Sequence, residues 1–368
     1  MSYAQGLAAA VRCVALCSLV AAWPCALRAE TAAGATETPA PATEPPTPAS
    51  PAPASGSAPT AEGETQVLQS PSDEAAHTVR RHYLWSNERR HDLFFADLSG
   101  LGGGYIGVGG DQNYTMAAAA AADVVWLIDL DSAVVHMHRL YAALLPEAVT
   151  AKDLVALFDR RAASRVRAAV EARYPDGAES RAVLQIYHAY RDLLSSHLRN
   201  ELSRRRGPKG TWLSDPVKYA HMQKLARTGR LIARLGDLTG PTTVQQIAAA
   251  ARRAGVPVHA IYLSNAESWF RYMPSFRGNV TALPFDDRSV ILRTVKSQVL
   301  SYPAGDIWHY TIQRSRHFAQ GLSGPGYGSI DVAMADAVLS KTAGLSHIGF
   351  PTARGEKPLI QETAARGR

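Results

Sequence analysis

With 368 residues, 46% of them hydrophobic, the chain is long enough for one large α/β domain or two smaller ones. Its three cysteines fall at Cys13, Cys17 and Cys25, so the rest of the chain has no disulfide framework and no cysteine metal site. The formal charge is +7, and no nucleic-acid module signature accompanies it, which argues against a nucleic-acid partner.

Residues 1–29 predict a secretory signal: Arg12, an uncharged run from Cys13 to Leu27, and small Ala29 before Glu30. The run is shorter than the roughly 20 apolar residues a membrane span needs, and an uncleaved anchor stays as the alternative. Cys17 follows Leu16 and Cys25 follows Pro24, so no lipoprotein pattern is complete and a lipid anchor is disfavoured. Residues 30–78, rich in Pro, Ala, Thr and Glu, predict a disordered tether, because they offer too little apolar surface to offset their ordering entropy. The expected location is secreted, periplasmic or cell envelope.

Removing Arg12 and Arg28 with the signal lowers the charge from +7 to +5, and seven carboxylates between Glu30 and Glu74 leave +12 on the body from Arg80 onward. A basic body favours anionic surfaces, so association with a membrane surface stays open.

The body, 79–368, begins with a short buried strand over Tyr105–Val108 and a glycine turn. A helix over Gln112–Ala122 follows, then a second strand over Val124–Leu130 and a helix through "SAVVHMHRLYAALL". Residues from about 150 to 228 read as helical throughout. The first of these helices is capped by Thr150 and runs unbroken to Tyr174. The strand pattern then returns in "GRLIARLGDLTG", in Val258–Leu263, in "RSVILRTV" and in "IWHYTIQ", with a capped helix in "PTTVQQIAAAARRAG". The expected fold is α/β: a doubly wound, mostly parallel, Rossmann-like sheet with an inserted helical subdomain at about 150–228.

In such sheets ligands sit beyond the carboxyl ends of the strands. Four strand ends carry polar or glycine signatures: Gly107-Gly109-Gly110-Asp111, Asp129-Leu130-Asp131, Gly236-Asp237 and Ser264-Asn265-Ala266-Glu267. Each alone is compatible with tight packing or a helix cap. Taken in order, they resemble the class I S-adenosylmethionine-dependent methyltransferase superfamily over roughly 100–145 and 229–295. "YIGVGGDQNYT", "YLSNAE" and "LPFDDRSVILRT" more narrowly resemble a group of exported bacterial proteins that includes spirochaetal lipoproteins.

The superfamily resemblance implies S-adenosylmethionine as cofactor. Gly107, Gly109 and Gly110 would form its turn, Asp129 would hold the ribose and Asp237 the adenine amine. Asn265 and Glu267 would stand at the reaction centre. Two positions depart from the pattern: Tyr105 replaces an acid, and Asp111 stands where the family has glycine. Both departures favour a binding or structural module of the envelope, with a small molecule or an envelope component as partner. The alternative is a methyltransferase of unknown substrate.

No Gly-x-Ser-x-Gly elbow and no His-Glu-x-x-His is present. His136 and His138 lie two apart in a helix and face different ways, so a solvated or packing role is expected and no metal. Arg204–Gly210, "RRRGPKG", reads as a solvated helix end, with a phosphate or lipid headgroup as its alternative ligand. Tyr262, Trp269, Phe270, Tyr272 and Phe276 are expected to form core around the fourth strand.

Overall fold

Two runs with apolar side chains on both faces set the centre of the sheet. In β1 (Gly104–Val108) and β2 (Val124–Asp129), Tyr105, Val125 and Leu127 pack to one side, and Ile106, Trp126 and Ile128 to the other. Strands of this kind need helices on both faces. The structure is a computed structural model. It describes residues 81–351 except 205–209 and Gln298, together with Leu68, Gln69, Asp73, Glu74, His77, Val79 and Lys357–Pro358. All belong to the unit Ser57–Arg368. The expected signal and most of the expected tether lie outside the described residues.

β3 (Leu231–Leu235), β4 (Val258–Tyr262) and β5 (Val290–Val295) join β1 and β2 as parallel neighbours in the order β3-β2-β1-β4-β5. β6 (His309–Arg314) runs antiparallel to β5. β7 (Val338–Leu339), β8 (Leu345–Ile348) and β9 (Lys357–Pro358) extend the sheet to nine strands. The protein is therefore an α/β fold with a mixed, mostly parallel sheet flanked by helices.

Helices α1 (Gln112–Ala119) and α2 (Ser132–Leu144) cover one face. They share a core there with α3 (Ala151–Ala156), α4 (Ala163–Arg173), α5 (Gly177–Ser203) and α6 (Pro216–Arg227). α7 (Thr243–Arg253), α8 (Pro274–Ala282) and α9 (Ser315–Ser323) cover the other face. Thr150 caps α3 in a reciprocal box with Asp153, as its position predicts. The helix expected to run on to Tyr174 instead breaks after Ala156. Consecutive Leu157 and Phe158 are both buried, and an unbroken helix would turn neighbouring side chains about 100° apart.

The folded body reaches further back than residue 79. Leu68 is 2% exposed, joins the second core and accepts from Trp126 Nε1 at 3.2 Å. Glu74 accepts from the amides of Asp237, Thr242 and Thr243 at 3.0, 3.0 and 2.8 Å, occupying the start of α7. Asp73 accepts from the Leu235 amide and pairs with Arg139. This end of the expected tether thus lies along β3, an edge strand that would otherwise present unpaired backbone. No helix among the described residues is long and apolar enough to cross a membrane.

Candidate functional site at the carboxyl edge of the sheet

Strand order reverses between β1 and β4, so the turn after β1 sits where such a sheet binds ligands. Gly109, at φ +88, needs the left-handed region. The other two glycines make room for the protein itself. A Cβ on Gly107 would fall 2.1 Å from Asn113 Oδ1. That amide ties the turn together: it donates to Val108 O (3.0 Å) and Gly110 O (2.9 Å) and accepts from Tyr105 OH (2.8 Å). A Cβ on Gly110 would meet Leu84 O at 2.6 Å and Trp85 Cα at 2.9 Å. The segment over residues 81–92 therefore crosses the glycine turn as a strap.

The strap is fastened at each strand end it passes. His82 Nδ1 donates to Asp131 at 2.8 Å beyond β2, and the amides of Arg89 and Arg90 donate to Tyr310 OH on β6 at 3.0 and 2.8 Å. Between them Glu88, 3% exposed, accepts from Ser86 Oγ (2.7 Å), Ser264 Oγ (2.8 Å), His91 Nε2 (3.2 Å), Tyr262 OH and Thr294 Oγ1. Burial would raise its carboxyl, but these donors outweigh burial and hold it down at about 2. Ser264 adopts φ +52, a left-handed conformation strained for a residue with a Cβ, in delivering its hydroxyl.

Asp111 turns away from the glycine turn. Its carboxylate accepts from His197 Nε2 at 2.9 and 3.0 Å and from Trp212 Nε1 at 3.2 Å, and Trp85 stacks on the imidazole at 5.0 Å. Burial opposes charge on both partners. Their attraction prevails, lowering Asp111 and raising His197 from their ordinary ranges. The depressed carboxyl contributes stability above pH 3.8, lost as pH falls through its folded value. The raised imidazole contributes below pH 6.5, lost as pH rises through its folded value. The stability gap between wild type and His197→Gln should therefore be widest between about pH 4 and 6.5 and narrow above it. Denaturant unfolding across pH tests this, and a gap that is flat from pH 5 to 9 contradicts the ion pair.

A cleft of about 1040 Å³ opens beside the strap. The sheet contributes Gly109, Gly110, Asp129 and Asn265 to its wall. Helix α5 supplies a further part of the wall through His197, Asn200 and Glu201, which share one helical face at spacings of three and four. Burial pushes the Asp129 carboxyl up to about 7, against the pull of the Asp131 amide, which donates to it at 2.8 Å.

The remaining predicted site residues lie elsewhere. Gly107 is behind Asn113. Asp237 accepts from the Thr239 amide and hydroxyl at 2.7 and 2.8 Å. Glu267 is buried against Arg293 and Tyr272, away from the cleft wall, because Arg293 lies inside β5 and needs a counter-ion. Among the expected core aromatics, Tyr262, Tyr272 and Phe276 are buried, whereas Trp269 is 83% exposed and lines the cleft.

His138 does pack: its Nε2 donates to Gly109 O at 2.8 Å and its Nδ1 accepts from Tyr114 OH at 3.0 Å. Burial lowers it to about 4. Arg204 pairs with Glu201 at the helix end, and residues 205–209 of the basic run lie outside the described residues. Among the described residues no group of His, Cys, Asp and Glu is arranged to hold a metal ion.

Residues 83–349 match the family described as Domain of unknown function (DUF7790). The match spans more than half of the chain and runs from the strap through β8, so the chain belongs to this family. No curated protein matches it.

Proposed function

We propose that this member of the family is a ligand-binding module of the cell envelope. In this reading it is exported, and residues 30 to about 67 hold it off a membrane or wall. Its sheet is methyltransferase-like, but the protein's own strap covers the superfamily's glycine turn at Gly110, and the cleft left open along Asp129 and Asn265 serves another small molecule. The observation that carries this reading is the strap on Gly110. Backbone of Leu84 and Trp85 lies where a cofactor would approach the turn. Glu74 supports it at the other end of the superfamily's cofactor seat, holding the amides at the start of α7 with its own carboxylate.

A second reading, an S-adenosylmethionine-dependent methyltransferase, draws support from the order β3-β2-β1-β4-β5 and from Asp129 and Asn265 in one cleft wall. Asp129 would then accept from the ribose hydroxyls, and Asn265 would stand near the reacting methyl. Methyl transfer needs positioning more than acid–base groups.

Calorimetric titration of S-adenosylmethionine into the purified protein separates the two. The binding module should give no saturable heat. Saturable binding that Asp129→Ala weakens about tenfold to a hundredfold, the loss of a charge-assisted pair, would decide for the transferase.

A further inference from the structure

We propose that the cleft takes an acidic saccharide, one whose rings carry carboxylates. The inference rests on the binding-module reading and deepens it. Two aromatic rings stand in the cleft wall largely bare: Trp269 is 83% and Tyr83 64% exposed. Large aromatic faces left in water beside a polar concavity mark a surface that something flat and partly apolar covers. The C–H face of a pyranose ring fits that description, and its hydroxyls require a ring of polar partners.

Such partners are present. The side-chain amides of Asn200 and Asn265 make no hydrogen bond among the described residues. Gln112, beside the glycine turn in the same wall, has a buried side-chain Oε1 without a donor among the described residues. Two guanidiniums supply the charge. The Arg81 guanidinium lies 5.1 Å over the Tyr83 ring, and the Arg89 amide donates to Asp306 at 2.8 Å, but neither guanidinium has a carboxylate partner among the described residues. Planar guanidinium groups match carboxylates in two-point contacts.

The wall also holds Glu201 and Asp129, so a ligand that spreads its charge one carboxylate to a ring can set each beside a guanidinium and away from these acids, whereas a compact dianionic phosphate concentrates its charge at one point. A nucleotide is disfavoured for a separate reason. The place for its base at the end of β3 is closed by Glu74, and Asp237 is engaged by Thr239. The cleft, at about 1040 Å³, lies at the top of the range for small-molecule sites, which suits several linked rings.

The test is calorimetry with tetragalacturonate, neutral maltotetraose, adenosine monophosphate and S-adenosylmethionine on wild type, Trp269→Ala and Arg89→Ala. Thermal unfolding checks that the variants fold, as the exposure of Trp269 leads one to expect. Tetragalacturonate should bind saturably, at least tenfold more tightly than maltotetraose, and each substitution should weaken it at least tenfold. The ligand class is overturned if wild type shows no saturable binding of tetragalacturonate. It is equally overturned if both substitutions leave that binding unchanged, or if maltotetraose or the nucleotide binds as well. Saturable binding of S-adenosylmethionine, by contrast, overturns the binding-module reading itself.

Discussion

Glu88→Ala is expected to destabilise the protein by about 3–5 kcal/mol, the range seen when one partner of a buried charged network is removed. The carboxylate is nearly inaccessible and receives five side-chain donors from the strap, β4, β5 and the turn after β4. Alanine would leave several of those donors buried and unpaired, each costing about 1–3 kcal/mol before relaxation. The carboxyl's depression to about 2 has the same sign: the donors favour the charged form that alanine removes.

The sign follows from the direction of that displacement. A depressed carboxyl stabilises above pH 4.5, and the contribution is lost as pH falls through about 2. Urea unfolding of wild type and Glu88→Ala should therefore show a large gap at pH 7 that shrinks below pH 4. Glu88→Gln keeps the shape and one acceptor, and should recover part of the loss. A Glu88→Ala protein within about 1 kcal/mol of wild type at pH 7 would show that the strap is not anchored here.

Much of the sheet was legible because its strands are buried on both faces and punctuated by glycine and acid. Val124–Leu130 reads as a strand from its unbroken apolar run; the strand ends one residue earlier, at Asp129, and the Asp131 carboxylate caps the helix that follows, accepting from the Ala133 amide at 2.9 Å. The later strands β7, β8 and β9 escaped notice because two to four residues carry no period.

The glycine turn was legible as geometry but not as purpose. Clearance at Gly107 and Gly110 looks the same in sequence whether it serves a cofactor, an asparagine or a strap. Glu88 and His197 were illegible for a related reason. Each is one polar residue in a polar stretch, and its partners lie up to 206 positions away. A partial signal did exist in "HLRNELSR". His197, Asn200, Glu201 and Arg204 fall on one helical face, while Leu194 and Leu198 are buried in the core shared with the sheet.

Glu267 offers the sharpest separation of structural from catalytic roles. Arg293 sits within β5 at 0% exposure, its guanidinium 4.8 Å over the Phe318 ring. Nε donates to Glu267 Oε2 at 2.6 Å and Nη1 to Gln313 Oε1 at 2.5 Å, while Nη2 has no partner. Tyr272 OH completes the set, donating to Glu267 Oε1 at 2.6 Å. Burial works against the guanidinium's charge, and the Glu267 carboxylate more than restores it, so the group titrates above its ordinary range.

Glu267→Leu would leave that charge buried without its counter-ion, and the expected cost is about 3–5 kcal/mol. Glu267→Leu combined with Arg293→Met removes both charges from a cleft of side chains that already includes Phe276, Phe318 and Tyr327. The double variant should be nearer to wild type than Glu267→Leu alone, because well-packed apolar replacements of buried ion pairs are often close to neutral. A double-mutant cycle by urea unfolding should then return a coupling of about 2 kcal/mol or more. A residue of the reaction centre would behave in the opposite way, keeping its stability and losing only activity. Wild-type stability in Glu267→Leu would return the residue to the candidate catalytic set.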